Sequence, residues 1–88
     1  MPDWKVTVDG PARRDLEALP AKYSFVVIHL LSLLAENPKR LGRPLRFELE
    51  GNWSARRGPY RVIYAIDESA REVIVRKVGH RSDVYRRT

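Results

Sequence analysis

The chain has 88 residues, 43 % of them hydrophobic, and a formal net charge of +6. This length predicts one domain over residues 1–88, and the ordinary apolar content excludes a chain that is disordered throughout. The absence of cysteine excludes disulfides, thiolate nucleophiles and cysteine-based metal sites.

The first part of the sequence predicts one strand followed by two helices. Polar and apolar residues alternate over residues 5–8, which indicates a short strand. Gly10 and Pro11 then signal the start of a helix, which Pro20 ends. A second helix is predicted over residues 21–36, before the Asn-Pro pair that follows it.

The second predicted helix has one apolar and one polar stripe. The polar stripe holds Lys22, His29, Ser32 and Glu36. The apolar stripe, which we expect to face the core, holds Tyr23, Val26, Val27, Leu30, Leu31 and Leu34.

The rest of the chain predicts a basic loop, three strands and a final helix. The loop covers residues 39–46, "KRLGRPLR". The first strand begins at residue 47 or 53 and ends at 57, and the others cover 60–66 and 72–78. Their short connections predict an antiparallel meander, and residues 81–88 predict a short helix. The fold class is therefore α+β, with a helical hairpin packed on one face of a twisted sheet.

The positive charge is concentrated in the second half of the chain. Residues 1–38 contain four Lys or Arg and five Asp or Glu, whereas residues 39–88 contain thirteen and six. This segregation favours a surface that binds phosphates, with nucleic acid as the leading partner. A merely solvated basic surface is the weaker alternative.

Two arginines in neighbouring predicted strands are candidates for phosphate binding. Arg61 lies in an otherwise apolar strand, where its charge is costly unless it is paired or faces a cleft. The short turn between the strands brings Arg56 close to it across the ladder. Two like charges without an acid between them favour a bound phosphate. The alternative is that Arg61 pairs with a structural carboxylate, such as Glu48, Glu50 or Asp67.

The segment after the last predicted strand adds further polar candidates. If the chain turns at Gly79, His80 and Arg81 emerge from the end of the sheet. One helical turn would then place Arg81 and Tyr85 on the same face. Histidine ordinarily exchanges protons near neutral pH, so His80 is a candidate base, with a surface role as the alternative. Tyr85 either stacks on an RNA base or closes the core.

Several other classes of site find little support. The two histidines are far apart and lack ligand spacing, so we expect no metal site and no cofactor. No glycine-rich phosphate loop and no Ser-His-Asp signature is present. The longest apolar-rich run, Phe25 to Leu34, is too short to span a bilayer, and residues 1–10 lack a signal-peptide core. We expect a soluble cytoplasmic protein.

Three segments carry a family resemblance over nearly the whole chain. They are Gly10-Pro11-Ala12-Arg13, "LEGNWSARRGPYRVIYAID" and "VIVRKVGHRSDVY". Together they resemble the RelE/ParE superfamily of toxins from bacterial toxin–antitoxin pairs. RelE-type members cut messenger RNA in the ribosomal A site without metal, and ParE-type members share the fold but poison DNA gyrase. The basic and aromatic residues make the resemblance imply the RelE type more than the ParE type.

The resemblance also implies roles for individual residues. Arg61 matches the family arginine that holds the scissile phosphate. Arg81 matches the arginine that stabilises charge on the phosphate or leaving group, and Tyr85 matches the tyrosine that orients the RNA. The implied reaction is attack of a ribose 2′-hydroxyl on the adjacent phosphorus, on a strand that the ribosome aligns.

The sequence departs from the family at two active-site lysines. Arg56 stands at one of these positions and Ser54 at the other. Arginine stays protonated at ordinary pH and is a poor base, so His80 is the better proton acceptor. Arg56 then joins Arg61 in a phosphate clamp.

The resemblance finally implies partners. An antitoxin would wrap the toxin, and Phe25, on the polar side of its helix, is an apolar candidate for that contact. The ribosome and its messenger RNA would be held by further basic residues, namely Lys39, Arg40, Arg43, Arg46, Arg57 and Lys77. The alternatives are a gyrase-poisoning toxin without nuclease activity and a nucleic-acid-binding module without catalysis.

Overall fold

The computed structural model describes residues 3–46 and 50–80 of the chain. In chain order its elements are β1 (Lys5–Val8), α1 (Gly10–Glu17), α2 (Ala21–Glu36), α3 (Pro38–Leu41), β2 (Arg43–Pro44), β3 (Trp53–Arg57), β4 (Tyr60–Asp67) and β5 (Glu72–His80). The predicted α+β class is confirmed. The final helix predicted over residues 81–88 lies outside the described residues. No helix within them is long and apolar enough to cross a membrane.

The strands form one five-stranded sheet in the order β1-β5-β4-β3-β2. Strands β3, β4 and β5 make the predicted antiparallel meander. Strand β1 lies beside β5 and runs parallel to it, and β2 pairs antiparallel with β3 at the other edge. A parallel pair needs a long crossover, which the helices supply between β1 and the rest of the sheet.

Helix caps explain where α1 and α3 begin. The Asp9 carboxylate accepts a hydrogen bond from the Ala12 N–H at 3.1 Å, and Pro11 occupies the first turn of α1. Asn37 accepts from the Lys39 N–H at 3.1 Å in the same way at α3. The prediction of a loop over residues 39–46 is therefore wrong. The Asn37 cap starts the short helix α3, and β2 then pairs with β3.

The core lies between α2 and one face of the sheet. Helix α2 contributes Val27, Leu30, Leu31 and Leu34, which are all buried. The sheet contributes Ala55, Val62, Tyr64, Val73, Val75 and Val78. Each buried valine or leucine among them stabilises the fold by roughly 1.5–3 kcal/mol through removal from water. Phe25, by contrast, is 70 % exposed, as its place on the polar stripe predicts.

A β-bulge in β5 resets which residues face the core. Ile63 pairs with Lys77 and Tyr64 pairs with Val75, so Arg76 is an extra residue without a register partner in β4. Because of this extra residue, Val75 and Val78 both reach the core although they are three positions apart. Lys77 is thereby turned to the opposite face.

Candidate functional site

The face of the sheet turned away from α2 is here called the distal face. It carries Arg56 and Arg61, the two arginines of the predicted phosphate clamp. Val62 and Tyr64 face the core, so the alternation of β4 points Arg61 and Ile63 to the distal face. Cross-strand partners share a face. One row on this face therefore contains Arg56, Arg61 and Gly79, and the next contains Arg43, Ser54, Ile63 and Lys77.

These rows border a cleft of about 520 Å³. It is lined by Leu41, Arg43, Ser54, Ala55, Arg56 and Arg61. Arg56 lies directly opposite Arg61 in the β3–β4 ladder, as the short turn between the strands predicts. Arg56 is exposed, Arg61 is half-buried and Ser54 lies buried on the floor.

The charges along the described part of the cleft are all positive. Among residues 3–46 and 50–80, its lining includes three arginines and no acidic residue. Guanidinium groups bind phosphate oxygens in a fixed fork geometry, so three of them around one cleft favour a polyanionic ligand.

The alternative partner Asp67 is committed elsewhere. It lies at the far end of β4, six residues and roughly 20 Å of extended chain from Arg61. Its carboxylate accepts from the Ala70 N–H at 3.1 Å and the Ser69 hydroxyl at 2.9 Å. The hydrogen bond from Ala70, followed by that from Ser69, holds the pKa of Asp67 below its ordinary value. Glu48, another proposed partner, lies outside the described residues.

A close contact between Gly42 and Tyr64 positions one wall of the cleft. Tyr64 is fully buried and its hydroxyl donates to the Pro38 carbonyl. Burial raises the pKa of Tyr64 well above its ordinary value. A Cβ atom at Gly42 would lie 1.8 Å from the Tyr64 oxygen, so only glycine lets the chain pass here. This close approach at Gly42 places the residues on either side of it, Leu41 and Arg43, on the cleft.

His80 lies on the other face of the sheet. The chain does not turn at Gly79, because β5 continues through His80, which pairs with Tyr60. The two rings meet edge to face, with centroids 5.9 Å apart at 80°. The ring centroid of Tyr60 also lies 5.1 Å from that of Tyr23, a residue of α2. Tyr60 and His80 therefore lie on the face of the sheet that carries α2.

His80 and Arg61 nevertheless reach the same end of the sheet. The pairs Tyr60–His80 and Arg61–Gly79 are adjacent in the ladder and form what we call the rim. Successive residues of a strand are about 3.3 Å apart and point to opposite faces. The structure therefore brings Arg56 and Arg61 together on one face and places His80 beside them across the rim.

The other basic residues that are predicted to contact RNA or the ribosome do not all lie on the distal face. Lys77 lies on the distal face with Arg43, but Arg57 pairs with Tyr60 and lies on the face that carries α2. Lys39 forms an ion pair with Glu68 at 2.5 Å, outside the cleft.

Four other predicted residues either lie away from the clamp or fall outside the described residues. Arg40 borders a second depression of about 290 Å³ with Leu33, Glu36, Asn37 and Leu41. Arg46 is exposed beyond β2. Arg81 and Tyr85 lie outside the described residues.

The sequence reasoning missed two residues of this site. Leu41 falls in the predicted loop, yet it borders both depressions. Tyr64 falls in a predicted strand with no assigned role in the site, yet its hydroxyl lies against the backbone at Gly42. The one signal in the sequence is the glycine at position 42, which indicates that the backbone closely approaches another group but does not identify that group. Within residues 3–46 and 50–80, no group of three potential metal-ligating side chains lies together.

Comparison with known proteins shows the family to which this sequence is similar. Residues 6–85 match the family model described as "ParE toxin of type II toxin-antitoxin system, parDE". The chain is 47 % identical over 85 residues to Toxin RelG of Mycobacterium tuberculosis, with 96 % of this chain and 98 % of that protein covered. It is 44 % identical over 84 residues to Toxin RelE of the same organism, with 94 % and 87 % covered.

The fold is also found in a solved toxin–antitoxin complex. The RelBE2 complex of Mycobacterium tuberculosis contains a chain that superimposes with a TM-score of 0.85 and 41 % identity. The superposition covers 92 % of this chain and 100 % of that one.

Proposed function

The chain belongs to the RelE/ParE family of toxins from type II toxin–antitoxin systems, and from this premise we propose that it is a ribosome-dependent messenger RNA endonuclease. Toxin function follows from the family. The nuclease activity is the part that we infer from the site. Similarity to two proteins named RelG and RelE supports it.

One observation carries the proposal. Arg56 and Arg61 lie opposite each other on a cleft whose described lining includes a third arginine and no acid. A phosphodiester held there would have cations on both sides of its non-bridging oxygens. Arginines placed in this way stabilise the additional negative charge of a pentacoordinate phosphorane more than that of the ground state, and this difference lowers the barrier.

The proposed reaction uses a hydroxyl of the RNA as the nucleophile. The 2′-oxygen forms a bond to the adjacent phosphorus, and the bond from phosphorus to the 5′-oxygen of the next nucleotide breaks. The products are a 2′,3′-cyclic phosphate and a 5′-hydroxyl. The 2′-hydroxyl gives its proton to a base, and the leaving 5′-oxygen takes up a proton from water. No metal takes part in this scheme.

We assign the base role to His80, acting at the rim. The polar side chains in the described part of the cleft lining are arginines and one serine, none of which accepts a proton readily near neutral pH. His80 is exposed and one ladder position from Arg61. A phosphate held on the distal face can direct its attached ribose toward the end of the sheet. The 2′-hydroxyl would then meet the imidazole as the RNA crosses the rim.

The remaining roles come from the family resemblance and from charge. Arg81 would stabilise the leaving group and Tyr85 would orient the RNA. Contacts to RNA and ribosome would be made by Lys39, Arg40, Arg43, Arg46, Arg57 and Lys77. Alignment of the strand by the ribosome would supply orientation that the open cleft does not, so free RNA should be a poor substrate.

An antitoxin is the proposed protein partner. A similar solved structure is a toxin–antitoxin complex, and this chain presents exposed apolar side chains on α2. Phe25 is 70 % exposed and Ile28 is 49 % exposed, one helical turn apart. Such a pair on an otherwise polar stripe is suited to an apolar contact with the antitoxin.

The test is cleavage of messenger RNA on programmed ribosomes by purified wild-type protein and two variants. Arg61→Gln should reduce the cleavage rate roughly 100- to 1000-fold, the effect of removing one donor from a charge-stabilising site. Arg76→Gln is the matched control, since it removes the same charge from an exposed bulge residue of the same sheet. It should cleave like the wild type. Equal rates for both variants, with folded protein, would refute the clamp.

The second candidate function is inhibition of DNA gyrase. The family model that matches residues 6–85 is described as that of a ParE toxin, and this description supports the alternative. Intact messenger RNA together with inhibited supercoiling by purified gyrase would favour it. Binding of RNA that weakens steeply with salt, without cleavage or gyrase inhibition, would instead indicate a module that only binds nucleic acid.

A further inference from the structure

An aromatic row leads from the core to the rim on the face that carries α2. Tyr23 and Tyr60 have ring centroids 5.1 Å apart, and Tyr60 and His80 have centroids 5.9 Å apart. Tyr23 belongs to α2, Tyr60 begins β4 and His80 ends β5. The row therefore ties a helix to the two strands whose ends form the rim.

The two contacts of Tyr60 differ in kind. Its ring is tilted by 38° against Tyr23 and stands at 80° to the imidazole of His80. Tyr60 and Tyr23 are both half-buried, whereas His80 is exposed. An edge-to-face contact is a favoured arrangement of aromatic rings and restricts the rotation of the exposed partner.

We propose that Tyr60 is a positioning residue, which fixes the imidazole of His80 at the rim so that it faces the ribose of a bound RNA. This assignment rests on the proposed nuclease function. An exposed histidine at the end of a strand samples several rotamers, and only some of them direct a ring nitrogen toward the 2′-hydroxyl. Contact with a ring that is itself held by Tyr23 limits that sampling, and a base held in one orientation reacts more often.

Two substitutions separate the ring from the hydroxyl of Tyr60. Tyr60→Phe keeps the ring, and Tyr60→Leu removes it. The matched control is Trp53→Leu, which removes an aromatic contact with Tyr64 on the same face of the sheet but away from His80. Each variant is measured for kcat and KM of messenger RNA cleavage on programmed ribosomes, and for the imidazole proton resonances of His80.

The resonances give a readout that does not depend on activity. The chain contains two histidines, and a His29→Gln variant assigns them. The ring of Tyr60 should displace the His80 resonances from those of the exposed His29. Tyr60→Leu should abolish this displacement, and Tyr60→Phe and Trp53→Leu should retain it.

The kinetic expectation follows from the contact energy of an aromatic pair. Tyr60→Leu should lower kcat roughly 2- to 10-fold with little change in KM. Tyr60→Phe and Trp53→Leu should have the kcat of the wild type.

Two outcomes would overturn the positioning role alone. One is an active wild type whose kcat the Tyr60→Leu variant matches. The other is a set of His80 resonances that Tyr60→Leu leaves in place. If the wild type itself does not cleave messenger RNA, the proposed nuclease function fails and the positioning role fails with it. The resonances would then report only whether the ring contact exists.

Discussion

Substitution of Gly42 by alanine should strongly destabilise the protein. The backbone at Gly42 has φ −95° and ψ 169°, a conformation that alanine adopts without strain. By itself this would make alanine favourable by about 0.4–1 kcal/mol, because it restricts the unfolded chain. The new Cβ, however, would lie 1.8 Å from the Tyr64 oxygen and 2.9 Å from its Cζ.

The clash outweighs the entropic gain. Overpacking of a tight site raises the free energy of the folded state by roughly 1–3 kcal/mol. Displacing the Tyr64 hydroxyl also breaks its buried hydrogen bond to the Pro38 carbonyl, which costs roughly another 1–3 kcal/mol. We therefore expect Gly42→Ala to lower the free energy of unfolding by about 2–5 kcal/mol.

A double-mutant cycle with Tyr64→Phe identifies the clashing atom. Phe at position 64 lacks the hydroxyl, so Tyr64→Phe alone should cost roughly 1–3 kcal/mol for the lost hydrogen bond and should recover the part of the Gly42→Ala loss that comes from the hydroxyl, while the contact with Cζ remains. Urea melts followed by circular dichroism give all four free energies. Additive losses in the double variant, or an unchanged stability of Gly42→Ala, would show that the contact between Gly42 and Tyr64 is not the constraint.

Two further predictions concern charge and one concerns the apolar surface of α2. Arg43→Gln should weaken binding of single-stranded RNA and reduce the slope of log K against log salt by about 0.7, since one phosphate contact is lost, whereas Arg76→Gln should leave the slope unchanged. Asp67 has a pKa lowered in the folded state, so its contribution to stability is present above its unfolded pKa and is lost as pH falls through the folded value. The difference in melting temperature between wild type and Asp67→Asn should accordingly shrink below about pH 4; a difference that stays constant to pH 2 would contradict this. Phe25→Ser should leave the melting temperature within about 2 °C of the wild type, because the side chain is 70 % exposed, and should weaken association with the antitoxin.

Local patterns in the sequence were sufficient for most of the secondary structure. The Asn-Pro pair at residues 37–38 marks the end of α2, and alternation marks β1 and β4. The short turn between β3 and β4 also fixed the Arg56–Arg61 pair, because two residues between antiparallel strands leave few possible registers. These features depend on residues that are close in sequence.

Features that depend on distant residues were not predictable in the same way. The bulge at Arg76 is visible only in the register between β5 and β4, and it turns Lys77 to the distal face. The contact between Gly42 and Tyr64 joins two residues that are 22 positions apart in the sequence. The glycine by itself therefore does not indicate which residue it contacts. The face on which His80 lies followed only from the continuation of β5 and its pairing with Tyr60.

The central claim is that the RNA supplies its own nucleophile while the arginine clamp stabilises the phosphorane. The most direct test uses programmed ribosomes with a messenger RNA that has a single 2′-deoxynucleotide immediately 5′ of the scissile phosphate. The wild-type protein should cleave the all-ribose message to a 2′,3′-cyclic phosphate and a 5′-hydroxyl, and it should leave the substituted bond intact. Cleavage of the deoxy-substituted bond at the same rate would contradict this account.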